Sequence, residues 1–300
     1  MSGFWSVRRV GNIRVCFGGA LCFGPDYAFM IATMLLIVVC SLLFLIYTTL
    51  LGARVVCGCG AVVTLGFMFR CATIDPGICP KDASLLEGAP PREAPVEEVF
   101  YVDAHGREQH ASVERKWCYC CNNYRPLRAI HCRFCDVCIA RRDHHCPWVG
   151  TCVGERNYRF YFLFLWSTLC LTLTVLTGGI WSLVGRMKAL SREVSYANRS
   201  AFLGALAETH FVEPLLVLVA IVTCCLVFPL VAYHTMLVAR NMTTVEEMRR
   251  ESGQVHYYDR GYCLENMKAS LCAPIPPSNL AQLTRQCTSS MNIVVETAEV

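Results

Sequence analysis

Three stretches of the sequence are too long and too apolar for the helices of an ordinary soluble protein. Residues 27–51, 160–184 and 214–233 contain no charged side chain at all. A helix needs about 20 residues to cross a bilayer, and an ionised residue in mid-membrane costs roughly 2.5–3.5 kcal/mol. The three stretches therefore predict membrane-spanning helices. The composition agrees, because 54% of the residues are hydrophobic and only 17% are charged.

A fourth span is less obvious. Only fifteen residues separate Arg54 from Arg70, and a helix of that length is shorter than a hydrocarbon core about 30 Å thick. Either arginine can extend its side chain outward and lengthen the usable stretch. A re-entrant or interfacial segment is the alternative. We predict a span, because an even number of spans places both flanking loops consistently.

The basic residues indicate an orientation for these spans. About half of them lie between Arg70 and Arg159, and most others lie in the two terminal segments. The positive-inside rule then places all three segments in the cytosol. The loop before the last span faces the lumen or the outside, where its sequon at Asn198 could be glycosylated. The organelle is not indicated. The net charge of +4 and the lack of a Lys/Arg-rich block argue against nucleic acid as a partner.

Cysteine is abundant and unevenly distributed. Eight of the 21 cysteines fall between Cys118 and Cys152. A structural zinc site takes four Cys or His ligands, and two C-x2-C pairs each supply half of such a site. Those pairs and six further candidates make ten residues for eight positions, and counting does not say which two are left over. The pairs are Cys118/Cys121 and Cys132/Cys135, and the further candidates are His131, Cys138, His144, His145, Cys146 and Cys152, with Cys120 as a spare thiol.

The order of these motifs resembles that of the DHHC protein S-acyltransferases. That family combines C-x2-C, a basic residue with proline, H-C-x2-C-x2-C, D-H-H-C-P-W and a closing cysteine, and residues 118–152 match each element. Flanking motifs match as well, over roughly residues 27–269. They are Asp75-Pro76-Gly77 after the second span, Thr243-Thr244-Val245-Glu246 after the fourth (the TTxE motif), and Asn266 in the tail.

The resemblance implies a division of labour among the ten candidates. One structural Zn²⁺ would be bound by Cys118, Cys121, His131 and Cys138, and a second by Cys132, Cys135, His145 and Cys152. Cys146 would then be the nucleophile that carries the acyl group, His144 its general base, and Asp143 the residue that orients His144. One departure from the family pattern is Gly150-Thr151, where asparagine is common before the last zinc cysteine.

The function expected from this resemblance is protein S-acylation (palmitoylation). A long-chain acyl group would move from acyl-CoA, such as palmitoyl-CoA, to cysteines of cytosolic or membrane proteins by a ping-pong mechanism. A weakly active zinc-domain scaffold of the same fold is the alternative. A RING ligase would need a further C-x2-C pair after the cluster, and a transporter would carry ionisable residues inside its spans. Residues near Cys170 and Leu171 are a candidate for the far end of an acyl cavity. Nothing in the sequence identifies an accessory subunit.

The expected fold class is an all-α polytopic membrane protein. Its four helices would flank a small, zinc-stapled, loop- and hairpin-rich cytosolic domain between spans 2 and 3. The predicted segments are a cytosolic arm (1–26), spans 1 and 2 (27–74), a cytosolic linker with the DPG motif (75–116), the zinc domain (117–159), span 3 (160–184), a lumenal loop (185–210), span 4 (211–238) and a cytosolic tail (239–300).

Overall fold

The computed structural model describes residues 7–79, 93–102, 107–193, 203–204, 207, 211–250 and 257–280. The sequon at Asn198, most of the Pro-rich part of the predicted linker and the end of the tail lie outside these residues. The chain divides into two compact units. One unit comprises Met1–Met30, Arg70–Tyr161 and Thr235–Val300, and the other comprises Ile31–Phe69 and Phe162–His234.

Among the described residues, four helices are long and apolar enough to cross a membrane. They are α1 (Tyr27–Tyr47), α2 (Leu51–Thr73), α3 (Tyr158–Glu193) and α4 (Val212–Ala239). The 23 residues of α2 extend about 34 Å, because the helix begins before Arg54 and ends after Arg70. The prediction of four spans is confirmed in the length and apolar composition of the helices. The helix α3 is longer than expected.

The second unit is held together by an apolar core between its helices. Phe44, Cys57, Leu171 and Leu216 are all buried there. Gly178 lets Phe44 approach closely, since a Cβ at this position would lie 2.8 Å from the Phe44 ring. Leu171, a candidate for the end of an acyl cavity, is thus a core residue of this unit.

The term all-α is wrong for the described residues, because the first unit contains eleven short strands. The predicted N-terminal arm forms an antiparallel sheet of β1 (Arg8–Val10), β2 (Ile13–Cys16) and β3 (Leu21–Phe23). The predicted linker contains a hairpin of β4 (Val96–Val102) and β5 (Glu108–Glu114). Neither feature was expected, because long apolar runs dominated the sequence pattern.

Three small antiparallel hairpins make up the cysteine-rich region. β6 (Trp117–Cys118) pairs with β7 (Asn123–Tyr124), β8 (Ile130–Cys132) with β9 (Val137–Ile139), and β10 (His144–Cys146) with β11 (Thr151–Val153). The turn of the last hairpin contains Gly150 at φ +80°, a conformation that side chains rarely adopt. The hairpin-rich character of this region was predicted correctly.

A buried asparagine fixes the last of these hairpins to the helices on either side. Asn157 is fully buried, and its amide donates to the carbonyls of Cys71 at 3.0 Å and Cys152 at 2.9 Å. Its Oδ1 accepts a bond from the N–H of Gly154 at 2.8 Å. One side chain therefore joins the end of α2, the last strand and the start of α3.

Replacing this residue by an apolar one of similar volume should destabilise the protein. Asn157→Leu leaves three buried backbone groups unpaired, each at a cost of about 1–3 kcal/mol. We expect a clearly lower thermal midpoint in detergent, measured by intrinsic fluorescence. Asn279→Leu is the matched control, because Asn279 is half-buried and its side-chain amide donates to the Ile78 carbonyl. Equal midpoints for the two variants would contradict this account of Asn157.

Candidate metal centres and active site

The register of the β8–β9 hairpin sorts neighbouring residues onto opposite faces. His131 and Cys138 are direct cross-strand partners, whereas Cys132 is paired with Val137. Because side chains alternate along a strand, His131 and Cys138 share one face and Cys132 lies on the other. Two adjacent residues of one strand are thereby sent to two different clusters.

The first cluster is formed by Cys118, Cys121, His131 and Cys138. One potential ligand atom from each residue lies within 4.8 Å of every other. The sulfur of Cys121 is 3.3 Å from Nδ1 of His131. Three of the four side chains are buried, and His131 is partly exposed. Three sulfurs and one ring nitrogen form a donor set that suits zinc.

The second cluster is formed by Cys132, Cys135, His145 and Cys152. Nδ1 of His145 lies 3.6, 3.3 and 3.6 Å from the three sulfurs in that order, and the sulfurs of Cys135 and Cys152 are 3.6 Å apart. Ligands at tetrahedral zinc, with bonds of about 2.3 Å to sulfur and about 2.0–2.1 Å to nitrogen, lie about 3.6–3.8 Å from one another. The observed spacing is therefore compatible with zinc.

The chemistry of the sulfurs in this cluster also suits a cation. The pKa of Cys135 is raised, first by its hydrogen bonds with Cys132 and Cys152 and then by burial. Such closely packed thiols cannot all ionise without a positive charge between them, and a bound metal supplies that charge. The spacing and the donor atoms of both clusters are therefore compatible with a bound zinc ion.

Other cysteines near the clusters lie outside both four-residue groups. Cys79 packs beside Cys118 and Cys121, and burial raises its pKa to about 12. Cys22 packs near the second cluster, and burial likewise raises its pKa to about 12. Both residues are therefore neutral thiols in the core. Cys120 is exposed beside Cys121.

In the β10–β11 hairpin, the residues of the motif Asp-His-His-Cys are likewise divided between the two faces of a strand. His145 and Cys152 are direct cross-strand partners, and both belong to the second cluster. His144 and Cys146 flank His145 in the strand, so they share the opposite face. Counting ligands in the sequence could not identify the two surplus residues. The alternation of side chains along β10 identifies them as His144 and Cys146, but this alternation applies only because residues 144–146 form a strand.

Asp143, His144 and Cys146 form a connected chain of polar groups on that opposite face. Oδ2 of Asp143 lies 2.6 Å from Nδ1 of His144, and the Cys146 thiol also hydrogen-bonds the His144 ring. Burial alone would lower the pKa of His144, but the bonds to Asp143 and Cys146 outweigh it and raise the pKa to about 9. The ring therefore readily accepts a proton. Tyr161 packs edge-on against it, with ring centroids 5.1 Å apart.

The TTxE motif supports Asp143 directly. The Thr244 N–H donates to Oδ1 of Asp143 at 2.7 Å, and the Thr244 hydroxyl donates to Oδ2 at 2.8 Å. Thr243 and Glu246 form a reciprocal capping box at the start of α5 (Thr244–Arg250). Thr243 is thus an ordinary helix cap, and Thr244 contacts the candidate active site.

Arg128 was not singled out from the sequence, yet it anchors the TTxE motif. Its guanidinium makes a two-pronged ion pair with Glu246 at 2.7 and 2.6 Å, and it lies over the ring of Tyr258 at 4.1 Å. It also donates to the carbonyl of Asn241. Because Arg128 and Glu246 are 118 residues apart in the chain, no local sequence signal could reveal this pairing.

The remaining flanking motifs fix backbone near the clusters. Oδ1 of Asp75 accepts the N–H groups of Gly77 and Ile78, both at 2.9 Å, and Arg156 makes an ion pair with Oδ2. Pro76 lies between Asp75 and Gly77 in this turn. Asn266 lies in α6 (Cys263–Met267), is buried, and donates to the carbonyl of Ala239 at the end of α4. Both motifs therefore act as internal caps.

The chain is similar to known proteins of one family. Residues 111–251 match the model of the family described as DHHC palmitoyltransferase. Palmitoyltransferase ZDHHC9 of Homo sapiens is 32% identical over 300 residues, covering 92% of this chain and 78% of the relative. ZDHHC14 of Danio rerio is 30% identical, covering 91% and 59%, and ZDHHC18 of Mus musculus is 30% identical, covering 91% and 74%.

The chain belongs to the DHHC palmitoyltransferase family. Glycine at position 150 has a structural reason in this chain. A Cβ at this position would lie 3.0–3.1 Å from backbone and side-chain atoms of Asp26, Tyr27 and Met30. The neighbouring Thr151 is buried and is the cross-strand partner of Cys146. Glycine therefore permits a close approach of the chain just before α1.

The two clusters of this DHHC protein lead to a prediction of metal content. We expect the purified protein to carry about two zinc ions per chain, measured by plasma mass spectrometry. Cys135→Ser should lose about one of them, because the second cluster then has three ligands. Cys79→Ser should keep both, although Cys79 is an equally buried neighbour of the first cluster. An equal loss in the two variants would contradict the grouping.

Proposed function

We propose that this DHHC-family chain transfers a long-chain acyl group, such as palmitoyl, from acyl-CoA to cysteines of substrate proteins by a ping-pong mechanism. Family membership makes the chain a protein S-palmitoyltransferase, and the proposal concerns how its residues carry out the reaction. The supporting observation is the position of Cys146, which is outside both zinc-compatible groups and hydrogen-bonded to His144.

In the first half-reaction Cys146 acts as the nucleophile. His144 accepts the thiol proton, and the thiolate attacks the thioester carbonyl of acyl-CoA. The bond to the CoA sulfur then breaks, giving an acyl-enzyme thioester and a CoA thiolate, which can take up the proton held by His144. The contact between His144 and Asp143 supports this role, since it holds the ring and stabilises its cationic form.

In the second half-reaction a cysteine of the substrate protein attacks the acyl-enzyme. His144 accepts the proton of the substrate thiol, the acyl group passes to the new sulfur, and Cys146 leaves as a thiolate that takes up the proton held by His144. One thioester is exchanged for another in each step, so no ATP is required. Because the Cys146 thioester is a separate intermediate, acyl-CoA and protein substrate need not be bound at once.

The metals have a structural role in this proposal. The residues that would hold them are Cys118, Cys121, His131 and Cys138 for one ion, and Cys132, Cys135, His145 and Cys152 for the other. When bound, each ion supplies a closed four-ligand crosslink without an open position for substrate. The hairpins are too small to have a large core of their own, so ion binding would supply much of their folding energy.

The reaction would take place at the cytosolic face of the membrane. Basic residues are concentrated in the loop between the second and third spans, which carries Cys146, and in both terminal segments. An acyl chain gains about 0.8 kcal/mol for each CH₂ removed from water, so the chain would enter the bilayer region while the CoA head remains in the aqueous phase. In this proposal the arm (1–26), the linker with the zinc domain (75–159) and the tail (239–300) are cytosolic, and the loop 185–210 is lumenal.

Acylation of the enzyme itself tests the nucleophile. Purified protein given radioactive palmitoyl-CoA should take up about one hydroxylamine-labile acyl group per chain, with a matching burst of free CoA. Cys146→Ser should abolish both signals. The control is Cys120→Ser, which removes an exposed thiol of the same region and should leave the burst intact. Undiminished labelling in Cys146→Ser would overturn the proposed mechanism.

The contact between Thr244 and Asp143 predicts a slower chemical step when it is weakened. Thr244→Val removes the hydroxyl donor but keeps the backbone bond to Asp143. Hydrogen bonds to charged groups are worth about 1.5–3 kcal/mol, so we expect kcat for acyl-enzyme formation to fall about tenfold or more with little change in KM. Thr177→Val is the control, because the Thr177 hydroxyl bonds to backbone carbonyls of α3. A change in KM alone would contradict a positioning role.

The orientation can be tested through the sequon at Asn198. If the loop before the fourth span is lumenal, the protein made in cells with a glycosylation machinery should lose mass on treatment with an N-glycosidase, and Asn198→Gln should remove the shift. A second sequon, Asn241-Met242-Thr243, should remain unmodified. Asn241→Gln is therefore the control and should leave the shift in mass unchanged. Glycosylation at Asn241 instead would invert the proposed topology.

A further inference from the structure

We propose that the segment before the first span stabilises the second cluster, and that Asp26 is a positioning residue for His145. In this arrangement Asp26 holds the His145 ring with Nδ1 toward the three sulfurs of the second cluster, while the sheet β1–β3 packs against the Cys132–Cys135 turn. The proposal rests on the assignment of a zinc ion to that cluster under the proposed function.

The contact between Asp26 and His145 uses the ring nitrogen that faces away from the cluster. Nε2 of His145 lies 2.9 Å from Oδ2 of Asp26. Nδ1 of the same ring lies within 3.6 Å of all three sulfurs. A carboxylate that accepts the outer N–H of a metal-binding histidine fixes its tautomer and orientation and makes the other nitrogen a better ligand.

Burial makes this contact more effective than its counterpart at the first cluster. The His145 side chain is 3% exposed and that of Asp26 is 32% exposed. At the first cluster, Nε2 of His131 lies 3.7 Å from Asp136, whose side chain is 60% exposed. The contact at the second cluster is therefore shorter and less screened by water than the one at the first.

The approach of Asp26 depends on small residues on both sides of the contact. At Gly24 a Cβ would lie 2.1 Å from the Gly150 carbonyl oxygen, and at Gly150 it would lie 3.0 Å from the carbonyl oxygen of Asp26. The chain before α1 therefore lies directly against the turn of the β10–β11 hairpin. That turn connects the strand bearing His145 and Cys146 to the strand bearing Cys152.

The sheet β1–β3 makes a second contact, with the turn that carries Cys132 and Cys135. The backbone N–H of Asn12 donates to the Cys135 carbonyl at 2.9 Å, and its side-chain amide donates to the Phe134 carbonyl at 2.9 Å. A Cβ on Gly11 would lie 2.5 Å from the same Cys135 carbonyl oxygen.

The inner face of the sheet shares a core with the second cluster. Val10, Ile13, Val15 and Cys22 are buried together with side chains of the cysteine-rich hairpins. The residues of the hairpins in that core are Cys132, Cys135, Val137, Ile139 and Cys152. Three of the four members of the second cluster are thus contacted or covered by this segment, and the fourth, His145, is contacted by Asp26.

The consequence is that a carboxylate before the first span controls the geometry of the catalytic strand. His145 stands between His144 and Cys146, so a change in the orientation of its ring moves both neighbours. Asp26 itself touches neither Cys146 nor His144 in the described contacts, and its effect would pass through the metal ligand.

Zinc release from the full-length protein in detergent provides the test. Purified wild type, Asp26→Ala and Asp26→Asn are mixed with a chromogenic zinc chelator, and the two release phases are resolved in time. Loss of such a partner typically costs 10–100-fold in metal affinity, so we expect Asp26→Ala to accelerate one phase by about 10–100-fold. Asp26→Asn should have a smaller effect, because an amide oxygen can still accept the ring N–H.

Asp136→Asn is the matched control, because it removes a carboxylate that faces the other zinc-site histidine at longer range. An acceleration of about threefold or more in one phase of Asp26→Ala, exceeding that in Asp136→Asn, supports the proposal. A smaller acceleration, or an equal one in the control, overturns it. Elution from size-exclusion chromatography at the wild-type position shows that a variant is folded. If Asp26→Ala aggregates, a faster phase in Asp26→Asn than in Asp136→Asn supports the proposal, and equal rates in the two overturn it.

Failure of the underlying zinc assignment gives a different result. If wild type holds fewer than two zinc ions, the assignment of two ions under the proposed function is wrong, and if His145→Ala keeps both ions, His145 is not a ligand. If wild type holds two and His145→Ala holds one, while Asp26→Ala releases zinc at the wild-type rate, the ligand assignment stands and the role of Asp26 is wrong.

Discussion

The register of two short antiparallel hairpins determines how the cysteine-rich region is organised. In each hairpin a histidine faces a cysteine directly across the strands, as His131 faces Cys138 and His145 faces Cys152. Each facing pair belongs to one of the two zinc-compatible groups. Residues next to a pair point to the other face, which separates Cys132 from His131 and leaves His144 and Cys146 together beside Asp143.

The supports around this face come from distant parts of the chain. Thr244 follows the fourth span and bonds Asp143, while Arg128 holds Glu246 of the same motif. Asn157 ties the last hairpin to α2 and α3. Thr244 and Asn157 bond to buried polar groups. The candidate site is therefore held by contacts from many separate segments, although each hairpin alone is too small to be stable.

Some of this could be predicted from the sequence, and the reasons for the rest are physical. The spans are visible because charge-free windows are long, and α2 was uncertain because Arg54 and Arg70 lie inside its helix. The members of both groups followed from the resemblance to a family, not from their spacing. The N-terminal sheet was missed because its strands have only three or four residues. The contacts of Asp26 and Arg128 depend on tertiary structure, which no local pattern records.

The period-two alternation of β10 has a consequence for how such a chain matures. A slip of the β10–β11 pairing by one position would turn His145 outward and direct Cys146 toward the metal pocket. The pocket would still offer four donors, because a cysteine sulfur suits zinc as well as a histidine nitrogen does. Metal capture therefore cannot correct the alignment by itself, and a chain misfolded in this way would be loaded with zinc while the thiol of Cys146 is consumed as a ligand.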